Sequence, residues 1–127
     1  SGLIICSGTN YPRKRVQQGK NIDKLADYLT TFLKALTMYY ILFYKTVENY
    51  IERRAMFRPD HLGLVEEFHS DGRLFMAGAL AEPADGAVLI FTGDTPQAAH
   101  DFVSRDPYVK NGLITEWSVR PWMVVTF

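Results

Sequence analysis

Residues 38–127 alternate between strand-forming and helix-forming segments in an order that few folds accommodate. Met38–Lys45 is aromatic and β-branched, as strands are, whereas Pro59 suits a first helical turn because its missing N–H is not needed there. Pro96 begins a second helical segment, and Pro107 ends it because the residue before a proline is driven out of the helical region. The expected order is strand, helix, strand, strand, helix, strand, the split βαβ pattern of a ferredoxin-like α+β sandwich. The predicted segments are Met38–Lys45, Pro59–His69, Leu74–Leu80, Ala87–Phe91, Pro96–Arg105 and roughly Leu113–Phe127 with an interruption at Pro121.

The predicted strands are apolar on both faces. An antiparallel sheet with helices on one face and water on the other shows alternating apolar and polar residues, but Tyr39–Tyr44, Leu74–Leu80 and Met123–Val125 do not. Two helices cover only one face of the sheet. We therefore expect a second copy of the chain on the other face, in a homodimer or a higher homo-oligomer. The alternative is that an N-terminal helix covers that face within one chain.

Residues 1–37 differ in composition from the rest of the chain. They carry a net charge of +4 and residues 38–127 carry −4, so we divide the chain into an N-terminal extension and a ferredoxin-like domain at this junction. The extension contains an amphipathic helix over about residues 22–36, which we expect to pack on its own domain or on a partner subunit. Its apolar stripe consists of Ile22, Leu25, Ala26, Leu29, Phe32, Leu33 and Leu36.

Composition limits the classes of partner. The chain has 14 basic and 14 acidic residues, so it lacks the positive field of a dedicated nucleic-acid binder. Its apolar runs are far shorter than the ~20 residues that a spanning helix needs, so we expect no membrane partner and a cytoplasmic location. The single cysteine, Cys6, cannot form an internal disulfide, and the sequence holds no metal-ligand or phosphate-loop motif. We expect neither a metal nor a cofactor.

The predicted topology brings two chemically useful residues to one end of the sheet. His61 lies in the first turn of the first helix, and Asp106 follows the second helix, just before the last strand. Because the first and last strands are antiparallel neighbours, these positions meet despite their distance along the chain. A carboxylate fixes an imidazole tautomer, and the pair is what a general base near neutral pH needs. In the alternative interpretation His61 is an exposed first-turn residue and Asp106 a turn residue before a proline.

Two segments together resemble the YciI-like, or YCII-related, family. They are Arg58-Pro59-Asp60-His61-Leu62 and Asp106-Pro107-Tyr108-Val109, with Asp71-Gly72, Leu74–Leu80 and Gly112-Leu113 between and after them. The resemblance covers residues 38–127. It implies a dimeric α/β-barrel built from ferredoxin-like subunits, and a histidine–aspartate active-site pair that maps onto His61 and Asp106. The 37-residue extension departs from the family, whose members usually begin at the first strand.

These observations predict a small cofactor-independent enzyme. His61 is expected to act as base or acid, oriented by Asp106, on a small aromatic or lactone-like substrate, in a proton transfer of lyase, isomerase or dehalogenase type. Arg58 is a candidate for holding an anionic substrate, although a solvated arginine fits the sequence equally; Tyr108 and Trp117 are candidates for pocket walls, although aromatic strand residues more often lie in a core. The alternative function is a non-catalytic dimeric small-molecule-binding or interaction module. An open pocket with aromatic walls at His61 favours the enzyme, and a filled one favours the module.

Overall fold

The computed structural model describes residues 22–32 and 37–126. The contacts of the chain divide it into two units, Ser1–Leu36 and Thr37–Phe127. In the first unit, residues 22–32 form helix α1, whose side chains are exposed along the predicted apolar stripe, as at Leu25 and Phe32. Residues 1–21 and the predicted end of this helix, residues 33–36, lie outside the described residues.

The second unit follows the predicted order of strands and long helices. Helix α3 begins next to Pro59, and α4 begins directly after Pro96, which caps it from outside rather than occupying its first position. The last strand is shorter than we expected: it passes through Pro121, which an edge strand tolerates, but ends at Trp122, so residues 123–126 do not continue it. The elements are β1 (Met38–Thr46), α2 (Tyr50–Arg53), α3 (Arg58–Ser70), β2 (Leu74–Ala79), β3 (Gly86–Gly93), α4 (Gln97–Arg105), α5 (Pro107–Lys110) and β4 (Ile114–Trp122).

The four strands form one sheet in the order β2-β3-β1-β4, with every neighbouring pair antiparallel. The connection through α3 joins β1 to β2 across β3, and the connection through α4 joins β3 to β4 across β1. This is the ferredoxin-like βαββαβ sandwich, the α+β subunit fold of dimeric α/β-barrels. No helix in the described ranges is long and apolar enough to cross a membrane.

One face of the sheet packs against α3 and α4 and carries the core. Leu42 on β1 lies opposite Leu89 on β3 and Val119 on β4, so one strand register aims three apolar side chains at the helices. Phe68 and Phe102, from the two helices, are fully buried and meet edge to face with ring centroids 5.3 Å apart. Burial of such side chains supplies roughly 1.5–3 kcal/mol each, which holds both helices on this face.

The opposite face of the sheet is apolar and largely open in the second unit. Phe43 from β1 is 40% exposed, Phe75 and Met76 from β2 are 53% and 56% exposed, and Trp122 from β4 is 45% exposed. Strands β1 and β2 are therefore apolar on both faces, as the sequence pattern indicates. Strand β4 is not, because Ser118 and Arg120 lie on the open face, and Met123–Val125 lie beyond its end. What covers this face stays a prediction.

Two short helices were not predicted. Helix α2 lies between β1 and α3, and α5 begins at Pro107, two positions after the last residue of α4. Asp106 separates α4 from α5 in an extended conformation (φ −69°, ψ 119°), which the following proline favours. Each helix spans one turn, too short for an apolar periodicity to reveal it.

Candidate active site

Asp106 is buried where α4 ends and α5 begins. Its side chain is fully shielded from solvent, and its Oδ1 accepts a hydrogen bond of 3.0 Å from the backbone N–H of Tyr108, which caps α5. The extended backbone before Pro107 turns the carboxyl group back toward the sheet end. The local turn between α4 and α5 thus places a carboxylate in the protein interior.

His61 reaches the same carboxylate from the first turn of α3. Its Nδ1 lies 2.7 Å from Asp106 Oδ1 although the two residues are 45 positions apart in the chain. The His61 side chain is 13% exposed, so the ring is largely buried while one edge stays accessible. The structure therefore brings together the two residues that the topology places at one end of the sheet.

Tyr44 on β1 provides a third hydrogen bond to Asp106. Its hydroxyl donates to Oδ2 over 2.8 Å, and the residue is only 5% exposed. Burial, followed by the negative charge of Asp106, raises the pKa of Tyr44 far above its ordinary value, so the hydroxyl remains a donor. A buried carboxylate is tolerated only when its lone pairs are satisfied, and here β1, α3 and α5 each supply one donor group.

The arrangement selects one tautomer of neutral His61. An ionised Asp106 only accepts, so Nδ1 carries the proton and the lone pair stands on Nε2. The ring is held by Tyr108, which stacks on it with centroids 3.7 Å apart and planes 9° apart, and by the edge contact of Phe102 at 6.1 Å. His61 is thus a pre-oriented group whose Nε2 can take up or deliver a proton.

A cavity of about 300 Å³ lies beside His61, between α3 and the β2–β3–β1 part of the sheet. The sheet side of this cavity is small: Ala77, Ala79 and Ala87 stand where larger side chains fill the core elsewhere. The remaining wall combines aromatic, aliphatic and cationic side chains. They are Tyr44, Tyr50, Arg54, Arg58, His61, Leu62, Val65, Leu89 and Tyr108.

The predicted site residues fall into two places. Arg58 and Tyr108 line the cavity together with His61, and Asp106 lies behind the His61 ring. Trp117 is not brought to this cavity. It lies on β4 at the opposite edge of the sheet from β2, 42% exposed, with its ring 5.7 Å from that of His100. A binding role for Trp117 stays a prediction without geometric support at this cavity.

Sequence reasoning missed Tyr44, Tyr50 and Arg54. Tyr44 looked like an ordinary aromatic strand residue, and only the sheet register places its hydroxyl below Asp106. Arg54 lies just after the short helix α2, and Arg58 begins α3. Their spacing of four residues therefore does not by itself indicate that both line one cavity. Among residues 22–32 and 37–126, no cluster of three or more histidine, cysteine or acidic side chains could hold a metal ion.

We expect Tyr44→Phe to destabilise the fold without changing its packing. The substitution leaves Asp106 Oδ2 buried without its donor, which costs about 1.5–3 kcal/mol for a hydrogen bond to a charged group. Because the folded pKa of Tyr44 is raised above the ordinary 10.0, its stabilising contribution is full below pH 10 and declines as the pH rises beyond that. Urea unfolding at pH 8 and pH 11 measures both effects.

The exposed Tyr28, changed to phenylalanine, is the matched control for this experiment. Between pH 10 and 11 the free energy of unfolding should fall more steeply in the wild type and in Tyr28→Phe than in Tyr44→Phe. The difference in slope should be up to about 1.4 kcal/mol per pH unit. Equal alkaline slopes in all three proteins, with equal stability at pH 8, would contradict a buried Tyr44–Asp106 hydrogen bond.

Comparisons with known proteins agree with this fold. The YCII-related domain family matches residues 38–123. Protein YciI of Escherichia coli O6:H1 is 31% identical over 97 residues, and a Haemophilus influenzae protein named only as uncharacterized is 30% identical over 97 residues; each match covers 69% of this chain and 99% of the relative.

A solved structure shares the same architecture. It is 5-chloro-2-hydroxyhydroquinone dehydrochlorinase (TftG) from Burkholderia phenoliruptrix AC1100, in complex with 2,5-dihydroxybenzoquinone. The two chains superpose with a TM-score of 0.57 at 22% sequence identity, covering 67% of this chain and 93% of that one. This likeness concerns the fold. The family match over the βαββαβ unit and the two relatives matched along almost their whole length show that this chain belongs to the YCII-related, YciI-like family.

Proposed function

We propose that this protein is a small acid–base enzyme in which His61 transfers a proton to or from a single-ring substrate. One observation carries the proposal: a histidine bonded through Nδ1 to a buried carboxylate stands in the wall of an open cavity. Surface histidines rarely have such a partner, whereas a general base needs one to fix its tautomer and to stabilise the imidazolium that forms. Asp106 is then a positioning residue.

The proposed step is a proton transfer at Nε2. The imidazole takes a proton from a carbon or oxygen of the substrate, and the released electron pair forms a new double bond or shifts along the ring. In an isomerase the imidazolium returns the proton to another atom; in an elimination the leaving group departs with its bonding pair. The activity for which TftG is named, dehydrochlorination, is an elimination of this second type on the same fold. The class we propose therefore includes lyase, isomerase and dehalogenase reactions, with the chain supplying the base.

The cavity favours a small ring as substrate. At about 300 Å³ it lies at the lower end of the range for ligand sites, which suits one aromatic or lactone-like ring. Tyr44, Tyr50 and Tyr108 provide aromatic surface, and Leu62 and Val65 provide apolar surface from α3. A pocket walled by aromatic side chains is the arrangement that favours the enzyme over a filled, structural site.

A non-catalytic binding module is the second candidate. The observation that favours it is the structural use of Asp106, whose three hydrogen bonds tie β1, α3 and α5 together. Such a junction stabilises the fold whether or not His61 moves a proton. The two functions differ in what His61 Nε2 does, because a structural role needs only Nδ1.

His61→Asn separates these roles. The asparagine amide N–H occupies nearly the position of imidazole Nδ1–H, so it can keep the hydrogen bond to Asp106 while Nε2 is lost. We expect the rate at which substrate C–H exchanges to C–D in D₂O to fall by about 10²–10⁴-fold in this variant. NMR monitors the exchange over a panel of hydroxyquinones, chlorohydroquinones and unsaturated lactones. Stability should change by about 1 kcal/mol. Asp106→Asn should reduce exchange by a smaller factor, since it alters the charge behind the ring.

His100→Asn is the matched control, because His100 is exposed on α4 and away from the cavity. It should exchange substrate protons at the wild-type rate. Exchange that persists in His61→Asn at that rate, with the fold intact, would show that His61 is not the base. Absence of exchange above the protein-free rate in the wild type, over the whole panel, would leave the binding module as the better description.

We also propose that the open sheet face is the homodimer interface. Its exposed aromatic and aliphatic side chains, Phe43, Phe75, Met76 and Trp122, form one surface on strands of one sheet, and a second copy related by two-fold symmetry buries it with like surface. The small-molecule cavity lies on the other, helix-covered face, so association leaves it accessible.

Light scattering tests this association. The wild type should run at 29 kDa, twice the 14.5 kDa chain mass, over micromolar concentrations. Phe43→Asp places a charge at the centre of the face and should give folded monomers, whereas Met56→Asp, at a 77% exposed position between α2 and α3, should remain dimeric. A monomeric wild type, or dimers unaffected by Phe43→Asp, would contradict the proposed interface.

A further inference from the structure

Three polar groups of the cavity wall have no part in the His61–Asp106 pair. Arg54 follows α2, Arg58 begins α3, and Tyr108 belongs to α5, yet all three line the same cavity. Two cationic residues and a tyrosine that line one cavity from three parts of the fold invite a chemical explanation beyond packing.

Both arginines are unpaired within the described residues. Neither has a carboxylate within salt-bridge distance, whereas Arg73 and Arg105 are paired with Asp71 and Glu67 on the outer surface. The Arg54 guanidinium lies 5.2 Å from the centre of the Tyr50 ring and is half-buried, which restricts its orientation at the cavity wall. Their positive charge is therefore available to a bound molecule.

The Tyr108 hydroxyl is the second independent observation. It is buried and has no hydrogen-bond partner among the described residues, in a side chain that is 1% exposed. A buried hydroxyl without a partner is unfavourable, and native structures usually satisfy it with a water molecule, an ion or a ligand. Burial raises the pKa of Tyr108, although the charges of Arg54 and Arg58 oppose this, so the hydroxyl keeps its proton at neutral pH and can donate it.

We propose that the cavity binds single-ring organic oxyanions, held by Arg54, Arg58 and the Tyr108 hydroxyl beside His61. Two guanidinium groups and one hydroxyl donor match the geometry of a carboxylate or of an ionised ring hydroxyl. Because Tyr108 stacks directly on His61, a molecule held here has its ring next to the proton-transfer group. The inference rests on the proposed function and specifies the charge of its substrate.

The same groups can also stabilise the negative charge that proton removal creates on the substrate. Removal of a proton from a ring carbon or hydroxyl leaves negative charge on the substrate, and the two arginines stabilise charge that spreads onto its oxygen atoms. The proton goes to His61 Nε2, and the electron pair stays in the substrate. Substrate binding and stabilisation of the product of proton removal thus use one set of donors.

Equilibrium binding of a matched pair of probes tests the assignment without turnover. Benzoate and benzamide have the same ring and nearly the same size but differ in charge, and 2,5-dihydroxybenzoquinone adds an ionised ring hydroxyl. We expect NMR titration of the wild type to show benzoate and the hydroxyquinone binding at least about tenfold more tightly than benzamide, a preference that weakens as salt is raised. Preference for benzoate alone identifies a carboxylate site; preference for both identifies a general oxyanion site.

Variants then assign the preference to residues. Arg54→Gln and Arg58→Gln should each weaken anion binding by about tenfold while benzamide binding stays unchanged, and Tyr108→Phe should weaken it severalfold. Arg53→Gln is the matched control, since Arg53 is exposed, adjacent to Arg54 and absent from the cavity wall. Equal affinity of the wild type for benzoate and benzamide, absence of anion binding, or an equal loss in Arg53→Gln would overturn the assignment.

His61→Asn distinguishes failure of this inference from failure of the proposed function. Anion preference should persist in that variant because the three anion-binding groups remain. If the preference persists while proton exchange also survives His61→Asn, the anion site stands and the acid–base role is wrong. If exchange depends on His61 but the probes bind without charge preference, the acid–base role stands and the anion site is wrong.

Discussion

The structure depends on one buried carboxylate. Asp106 has no exposure to solvent, and it is acceptable in the interior only because Tyr44, His61 and the Tyr108 amide donate to it. These donors come from the inner strand β1, the first long helix and the short last helix. Loss of any of them leaves a charge or a lone pair unsatisfied, so the carboxylate fixes the relative position of three elements at one end of the sheet.

The same requirement produces the reactive geometry. A carboxylate that accepts a hydrogen bond from Nδ1–H leaves Nε2 as the free nitrogen, and the stacked Tyr108 ring holds the imidazole at a fixed orientation. The cavity next to it arises because Ala77, Ala79 and Ala87 leave the space between sheet and α3 unfilled. The hydrogen bonds of Asp106 therefore both stabilise the fold and orient His61 for proton transfer. Only proton transfer also requires the empty cavity.

The order of the elements and the proximity of His61 to Asp106 could be predicted from the sequence, because both depend on the order of segments along the chain. The prolines and apolar segments give the βαββαβ order, and antiparallel first and last strands place His61 near Asp106. Tyr44 and Arg54 escaped prediction because a strand aromatic and a lone arginine have no local signature of their tertiary partners. Trp117 was expected at the pocket because it is aromatic, but β4 and β2 are opposite edges of the sheet, and the cavity lies toward β2.

The arrangement depends on Asp106, which fixes the tautomer of neutral His61 and leaves the lone pair on Nε2. Long-range ¹H–¹⁵N correlation NMR of the histidine-labelled protein measures this directly, at a pH where the imidazole is neutral. We expect a protonated Nδ1 and an unprotonated Nε2 for His61 in the wild type, with the resonances identified by their absence in His61→Asn. A neutral His61 that carries its proton on Nε2 would contradict the account, because such a ring can neither donate to Asp106 nor accept a proton from the cavity.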